Sequence, residues 1–275
     1  MADISLADIK ALRERLGTGM VDTKNALVEA EGDLEKAVEI LRLKGAKGNA
    51  KRADRSTSEG LVAVVESATA VTIIELACET DFVAKNDKFI ALSNEVLAAL
   101  ADSGAETVEA ALAAPAGSGT VGSLIEDSAA IIGEKIELRR VTRIPGEHFA
   151  VYLHQTSKDL PPQIGGVVAY DASAARPARS IAPHIPLADP QPLAKDDVPA
   201  DLVETERRIV EEISRGEGKP EAALPKIIEG RLGAYYKQVA LLEQDYARDN
   251  NLKVAKVLQD SGLTVTGFAR FKVGA

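Results

Sequence analysis

The sequence is poor in the groups from which active centres are usually assembled. One of its 275 residues is cysteine, Cys78, and three are histidine. A single thiol forbids an internal disulfide and suits a reducing compartment. His148, His154 and His184 are too scattered to supply the ligand spacing of a zinc site. No apolar run approaches the length of a bilayer-spanning helix. The first residues, MADISLADIKALRERLGTGM, carry acids and charges throughout, unlike a secretory leader. A cytoplasmic protein without membrane contact is therefore expected. Positive charge is short as well: 33 Lys and Arg stand against 42 Asp and Glu, a net charge of -9. That balance argues against direct nucleic-acid binding, which draws on clustered cations.

Catalytic motifs are missing too. GEGKP contains Gly218-Lys219, but a phosphate loop needs glycine at 213 and Ser or Thr at 220, where the chain has Ile213 and Pro220. No paired carboxylates and no nucleophile–base set emerge. The chain reads as a non-enzyme with no cofactor and no metal.

What is present is a soluble-protein composition, 45% hydrophobic and 27% charged, long enough for two or three modules. Residues 1–45 read as a docking module of three short helices. Ser5 caps the first and Gly17 stops it; Thr18 caps the second and Gly32 breaks it; Asp33 caps the third, which ends at Gly45. Ile9, Leu12, Leu16, Met20, Leu27, Leu34, Val38 and Leu41 recur at helical spacing as a small core. Residues 46–59 form a basic linker. The stretch KGAKGNAKRADR, with Lys44, Lys47, Lys51, Arg52 and Arg55, is either a solvated connection or a docking arm for an acidic partner.

An α+β core follows. In its N-terminal half, 60–147, GLVAVVES and VTIIELACE read as paired strands before an amphipathic helix carrying Phe89, Leu92, Val96 and Leu100. VGSLIEDSAAIIGEK and KIELRRVTRI add a helix and a strand. The strand pair returns in the C-terminal half, 148–197, as HFAVYLHQ and IGGVVAYDA, so the core reads as duplicated, each half a small antiparallel sheet with a helix. In the second half Pro183, Pro186, Pro190 and Pro192 interrupt the expected helix, and an irregular path is predicted after at most one turn. Residues 198–247 read as an inserted antiparallel helical hairpin around GEGKP, with Leu202, Ile209 and Ile213 on one stripe. It either projects into solvent or pairs with a second copy. Residues 248–275 add a helix and a strand that rejoins a sheet.

One short stretch stands out. ETDFVAKN, 79–86, places Phe82 at a strand-to-helix corner, where a small polar residue would be ordinary. On folding grounds Thr80 or Asp81 caps the helix and Phe82 tucks onto its own core. CETDFVAKN, together with GTGMVDTKNALVEAEGDLEKAVEILRLKG before it and GEGKPEAALPKIIEGRLGAYYKQVALLEQ after it, resembles the bacterial elongation factor Ts family, in the expected order over most of the chain. The resemblance lapses over 176–193. It implies a guanine-nucleotide exchange factor that binds elongation factor Tu, GDP-bound and nucleotide-free, and changes no covalent bond itself. It further implies that Thr80, Asp81, Phe82 and Val83 disturb the Mg²⁺ site of that partner, Phe82 by insertion. A plain interaction scaffold with no effect on nucleotide is the alternative.

Overall fold

Three helices come first in the computed structural model, which describes residues 5–16, 18–171 and 175–275, without the side chains of 14–16 and 175–177. They are α1 (Leu6–Leu16), α2 (Met20–Glu29) and α3 (Leu34–Arg52). The Ser5 hydroxyl accepts the Asp8 N–H at 3.1 Å, and Asp33 accepts from Glu35 and Lys36 at 3.0 and 3.1 Å, so both residues cap as their positions predict. Gly17 and the Leu16 side chain lie outside the described residues. Thr18 does not cap α2; its hydroxyl meets that of Thr23 at 2.8 Å, and the helix starts after Gly19. Ile9, Leu12, Leu27 and Leu41 are buried around Ala26, Ala30 and Ala37. Met20 and Leu34 instead face outward.

Beyond this module come β1 (Glu59–Glu66), β2 (Ala70–Cys78), α4 (Asp81–Ala84), α5 (Asp87–Leu100), α6 (Val108–Ala113), β3 (Pro115–Ala116), β4 (Gly119–Thr120), α7 (Val121–Ile132) and β5 (Ile136–Pro145). The strands β1, β2 and β5 form one antiparallel sheet with β2 in the middle. After it follow β6 (Phe149–His154), β7 (Ile164–Asp171), α8 (Ala175–Ile181), α9 (His184–Ala188), α10 (Ala200–Gly216), α11 (Leu224–Val239), β8 (Asp245–Tyr246), β9 (Asp249–Lys253), α12 (Val254–Ser261) and β10 (Thr264–Lys272). Here β7 is central between β6 and β10. The fold class is α+β. The duplication runs further than the strand pairs suggest: in each half a two-stranded turn, then a helix, precede a last strand that returns beside the second.

The two sheets pack face to face. Val62, Val71, Ile73 and Ile144 of the first meet Val167, Ala169, Ala269 and Phe271 of the second. Helices cover both outer faces, with Phe89, Leu92, Val96 and Leu100 on the first and Ile181, Ile185 and Leu258 on the second. Gly165 and Gly166 show how tight the layers are. A Cβ at Gly165 would lie 2.6 Å from Val62, and one at Gly166 would lie 2.6 Å from Pro186, since neighbouring strand residues face opposite sides. Among the described residues one carboxylate is fully buried: Glu75, on β2, takes Arg140 at 2.6 Å and the Gly274 N–H at 3.1 Å, tying the chain just past β10 to the first sheet.

Two further sequence expectations need correction. Helix α3 does not end at Gly45; it runs through Arg52 and crosses α7, where a Cβ at Gly45 would meet the Ala130 Cβ at 2.6 Å. That glycine permits close approach, so the first part of the supposed linker is helical. Asn49 then bonds the Glu126 carbonyl at 2.8 Å, holding the N-terminal module against the core. The proline-rich segment is helical further than predicted, through α8 and α9 to Ala188, and takes the expected irregular path only over 189–194. Pro183 is the N-cap of α9 and Pro186 lies in its first turn, where backbone N–H groups have no helical acceptor; Pro190 and Pro192 lie past its end.

His184 anchors this segment. It is buried, and its Nε2 lies 2.8 Å from Gln244 Oε1. The Gln244 amide donates to the Ala188 and Gln238 carbonyls at 3.0 and 2.9 Å, so its oxygen must face the ring. The imidazole proton is thereby assigned to Nε2, leaving Nδ1 to accept the Ala247 N–H at 3.3 Å. Burial holds the His184 pKa below its ordinary 6.5. The unfolded chain therefore takes up this proton first, and stability contributed above pH 6.5 is lost as pH falls below it. Urea midpoints should drop between pH 7.5 and pH 5.5, and His184→Gln should flatten that drop; an unchanged pH slope in the variant would contradict the assignment.

Candidate functional site

Strand β2 leaves the core at Cys78, and the next residues are held by contacts to a second corner of the chain. Cys78 is fully buried, its thiol donates to the Thr80 carbonyl at 3.3 Å, and its pKa is pushed up to about 12, by burial first and then by Glu134 and Glu59. Such a thiol stays protonated and unreactive at neutral pH. Thr80 is extended (φ -127°, ψ 155°) and caps α4, accepting the Val83 N–H at 3.4 Å. Asn86 caps α5 in turn, accepting from Lys88 at 2.9 Å. Two caps in quick succession limit α4 to a single turn.

The four predicted residues divide by direction. Val83 and Ala84 are buried in the first core. Successive helical residues are rotated by about 100°, so with Val83 inward Phe82 is turned out. Phe82 is 73% exposed, which rules out the tucked arrangement that folding arguments favour. The Lys85 ammonium sits 4.5 Å from the ring centroid and pairs with Asp81 at 3.2 Å, at the surface. The result is an aromatic ring flanked by one charge pair on a short, doubly capped turn.

The turn is fastened from a distance. Glu134 follows Gly133, the left-handed cap of α7 (φ 87°). Its carboxylate accepts the Glu79 N–H at 3.1 Å, the Thr80 N–H at 3.0 Å and the Thr80 hydroxyl at 2.6 Å. Glu79 reciprocates, accepting the Lys135 N–H at 2.6 Å and the Arg55 guanidinium at 3.1 Å. Partial burial opposes the Glu79 charge, but the Lys135 and Arg55 bonds outweigh it and hold its pKa below the ordinary carboxylate value. The basic stretch is thus partly used within the chain: Arg55 on Glu79, Arg52 on the Ala129 carbonyl at 3.3 Å, and Lys44 on Glu29 at 3.5 Å.

Sequence patterns do not reveal Glu134, because 54 residues separate it from Thr80. A signal existed: an acid just past a helix C-terminus opposes the helix dipole and implies another reason for its presence. Among the described residues, no group of three or more His, Cys, Asp or Glu side chains stands close enough to hold a metal ion. No helix among them is long and apolar enough to cross a membrane. On α10, Leu202, Ile209 and Ile213 face outward, while Val210 and Ser214 turn towards α11.

The family model described as Elongation factor TS matches residues 79–275, beginning at the first residue of ETDFVAKN. The chain belongs to the elongation factor Ts family. An elongation factor Ts from Leifsonia xyli subsp. xyli is 72% identical over 276 residues, covering all of both chains. Those from Clavibacter sepedonicus and Tropheryma whipplei are 70% and 53% identical, again over the full length of each. These relatives therefore align with the N-terminal module as well as with the part that the family model covers. The chain is accordingly a translation elongation factor.

An outward ring should matter little to folding. Phe82→Ala should change unfolding free energy by less than about 0.5 kcal/mol, whereas Thr80→Ala, which loses both a cap and the hydroxyl bond to Glu134, should cost about 2 kcal/mol or more. Urea denaturation of both variants checks this, and a larger cost for Phe82→Ala would mean that the ring packs on its own core.

Proposed function

We propose that the chain is a guanine-nucleotide exchange factor for elongation factor Tu, acting by distortion of the partner's phosphate and Mg²⁺ site without changing any covalent bond itself. The observation that carries this reading is the outward Phe82 on its fastened turn in a chain of the elongation factor Ts family. An exposed aromatic on a rigid support is suited to insertion, because little conformational freedom is lost when it docks.

Magnitudes define what the ring can do. Burying a phenylalanine is worth about 1.5 to 3 kcal/mol. Accelerating release a thousandfold requires a barrier lower by about 4 kcal/mol. Phe82 therefore needs a wide contact around it, on the order of 1,600 Å², whose binding energy holds the partner in a distorted state. Mg²⁺ demands near-ideal octahedral geometry, so small displacements of its ligands weaken it steeply. In this reading Phe82 separates the elements flanking that site and Asp81 competes for its polar contacts. Thr80 and Val83 fix the corner from which both act.

Phe82→Ala should slow GDP release from saturated elongation factor Tu by about tenfold or more, the ring's burial energy expressed in rate, while weakening complex formation only modestly. Stopped-flow release with labelled GDP measures it; an unchanged rate removes the wedge. Linkage gives a second expectation: if the factor weakens GDP binding, GDP weakens factor binding by the same ratio. Calorimetry should find nucleotide-free partner bound more tightly than GDP-bound partner, and equal affinities would leave only a scaffold.

A further inference from the structure

We infer that Glu134 is the positioning residue for Phe82, an inference that rests on the exchange reading above. The ring does not hold itself in place: it is 73% exposed, and Lys85 stands over its face. Its direction must be set by the backbone of 79–83. Helix α4 has four residues, and so short a helix has no stability of its own. Val83 and Ala84 anchor the inner side of the turn. Its entry is anchored by Glu134, whose two oxygens accept all three donors that residues 79 and 80 present: two backbone N–H groups and the Thr80 hydroxyl.

These bonds form one arm of a two-way tie. Glu134 reaches from the α7–β5 corner to the β2–α4 corner, and Glu79 reaches back to the Lys135 N–H. Neither corner shifts without breaking charge-assisted bonds, the stronger class of hydrogen bond. The same α7 carries the Glu126 and Ala129 carbonyls gripped by Asn49 and Arg52 of the N-terminal module. Phe82 is therefore registered to the helix on which that module docks. Both parts of the molecule present themselves from one rigid frame.

Two substitutions separate geometry from charge. In Glu134→Gln the amide oxygen still accepts the two N–H groups, and the amide nitrogen donates to the Thr80 hydroxyl oxygen, so the turn is kept. In Glu134→Ala the donors turn to water and α4 is released. Maximal GDP release should fall about tenfold in Glu134→Ala, within the coupling range of contacting residues. The concentration of factor giving half the maximal rate should change far less. Glu134→Gln should stay near wild type. In the Phe82→Ala background, Glu134→Ala should add much less than its single effect, because most of that effect passes through the ring and only the Asp81 share remains. Amide exchange over 79–84 in the free protein, which needs no partner, should accelerate in Glu134→Ala alone. A wild-type maximal rate in Glu134→Ala, an equal further loss in the double variant, or unchanged amide protection would each overturn the positioning role. If Phe82→Ala itself leaves release unchanged, the exchange reading fails first, and amide protection still reports on the tie by itself.

Discussion

Burial of the central strand β2 is the constraint from which the rest of the molecule follows. It is hydrogen-bonded along both edges, and every one of its residues is buried. Apolar side chains on one face meet the helices, and those on the other meet the second sheet. Such a strand is fixed in register, since a slip of one residue would exchange its two faces. The one charge it carries, Glu75, is compensated by arginine from β5 and by backbone from the C-terminus. Glu75 and Arg140 lie on neighbouring strands of the first sheet, and the Gly274 N–H on Glu75 and the Arg140 bond to the Lys272 carbonyl carry the tie to the second half, so a packing that parts the halves strips a donor from a buried carboxylate.

Where this strand ends, the chain passes from the most constrained part of the protein to its surface within a few residues. Cys78 is sealed, and four positions later Phe82 is open. An aromatic ring presented this way is useful only if the backbone beneath it does not yield. The turn is held by polar ties between two corners of the fold and not by packing of the ring. A flexible loop carrying the same residue would lose ordering entropy on docking, and less of the contact energy would remain to strain a partner.

Much of this was legible in the sequence, and the failures have physical causes. The strand pairs and the buried stripe of α5 followed from periodicity, and the corner carrying Phe82 followed from a strand pattern meeting a helix pattern. The direction of Phe82 did not, because local reasoning rewards burial of an aromatic and does not see that Val83 and Ala84 take the inward face of the turn. At Gly45 local preference predicts a helix stop, because glycine is a strong terminator; contact with Ala130 across α7 overrides that preference. The prolines after residue 182 occupy a cap, a first turn and positions past a helix end, all compatible with Pro, so counting them overstated the damage. Glu134 belongs to the tertiary level, with nothing near it in sequence to reveal its donors.

The two feet of the helical hairpin stand side by side. Gln191 donates to the Val239 carbonyl at 2.9 Å, and Leu241 and Leu242 donate to the carbonyls of Pro192 and Leu193 at 3.1 and 3.0 Å. The chain thus departs and returns through one narrow doorway, and closing a loop costs little more when the loop is lengthened. Everything beyond that doorway behaves as an appendage grafted onto a finished body. Its reach is free to be trimmed or extended over generations while the layered interior stays as it is.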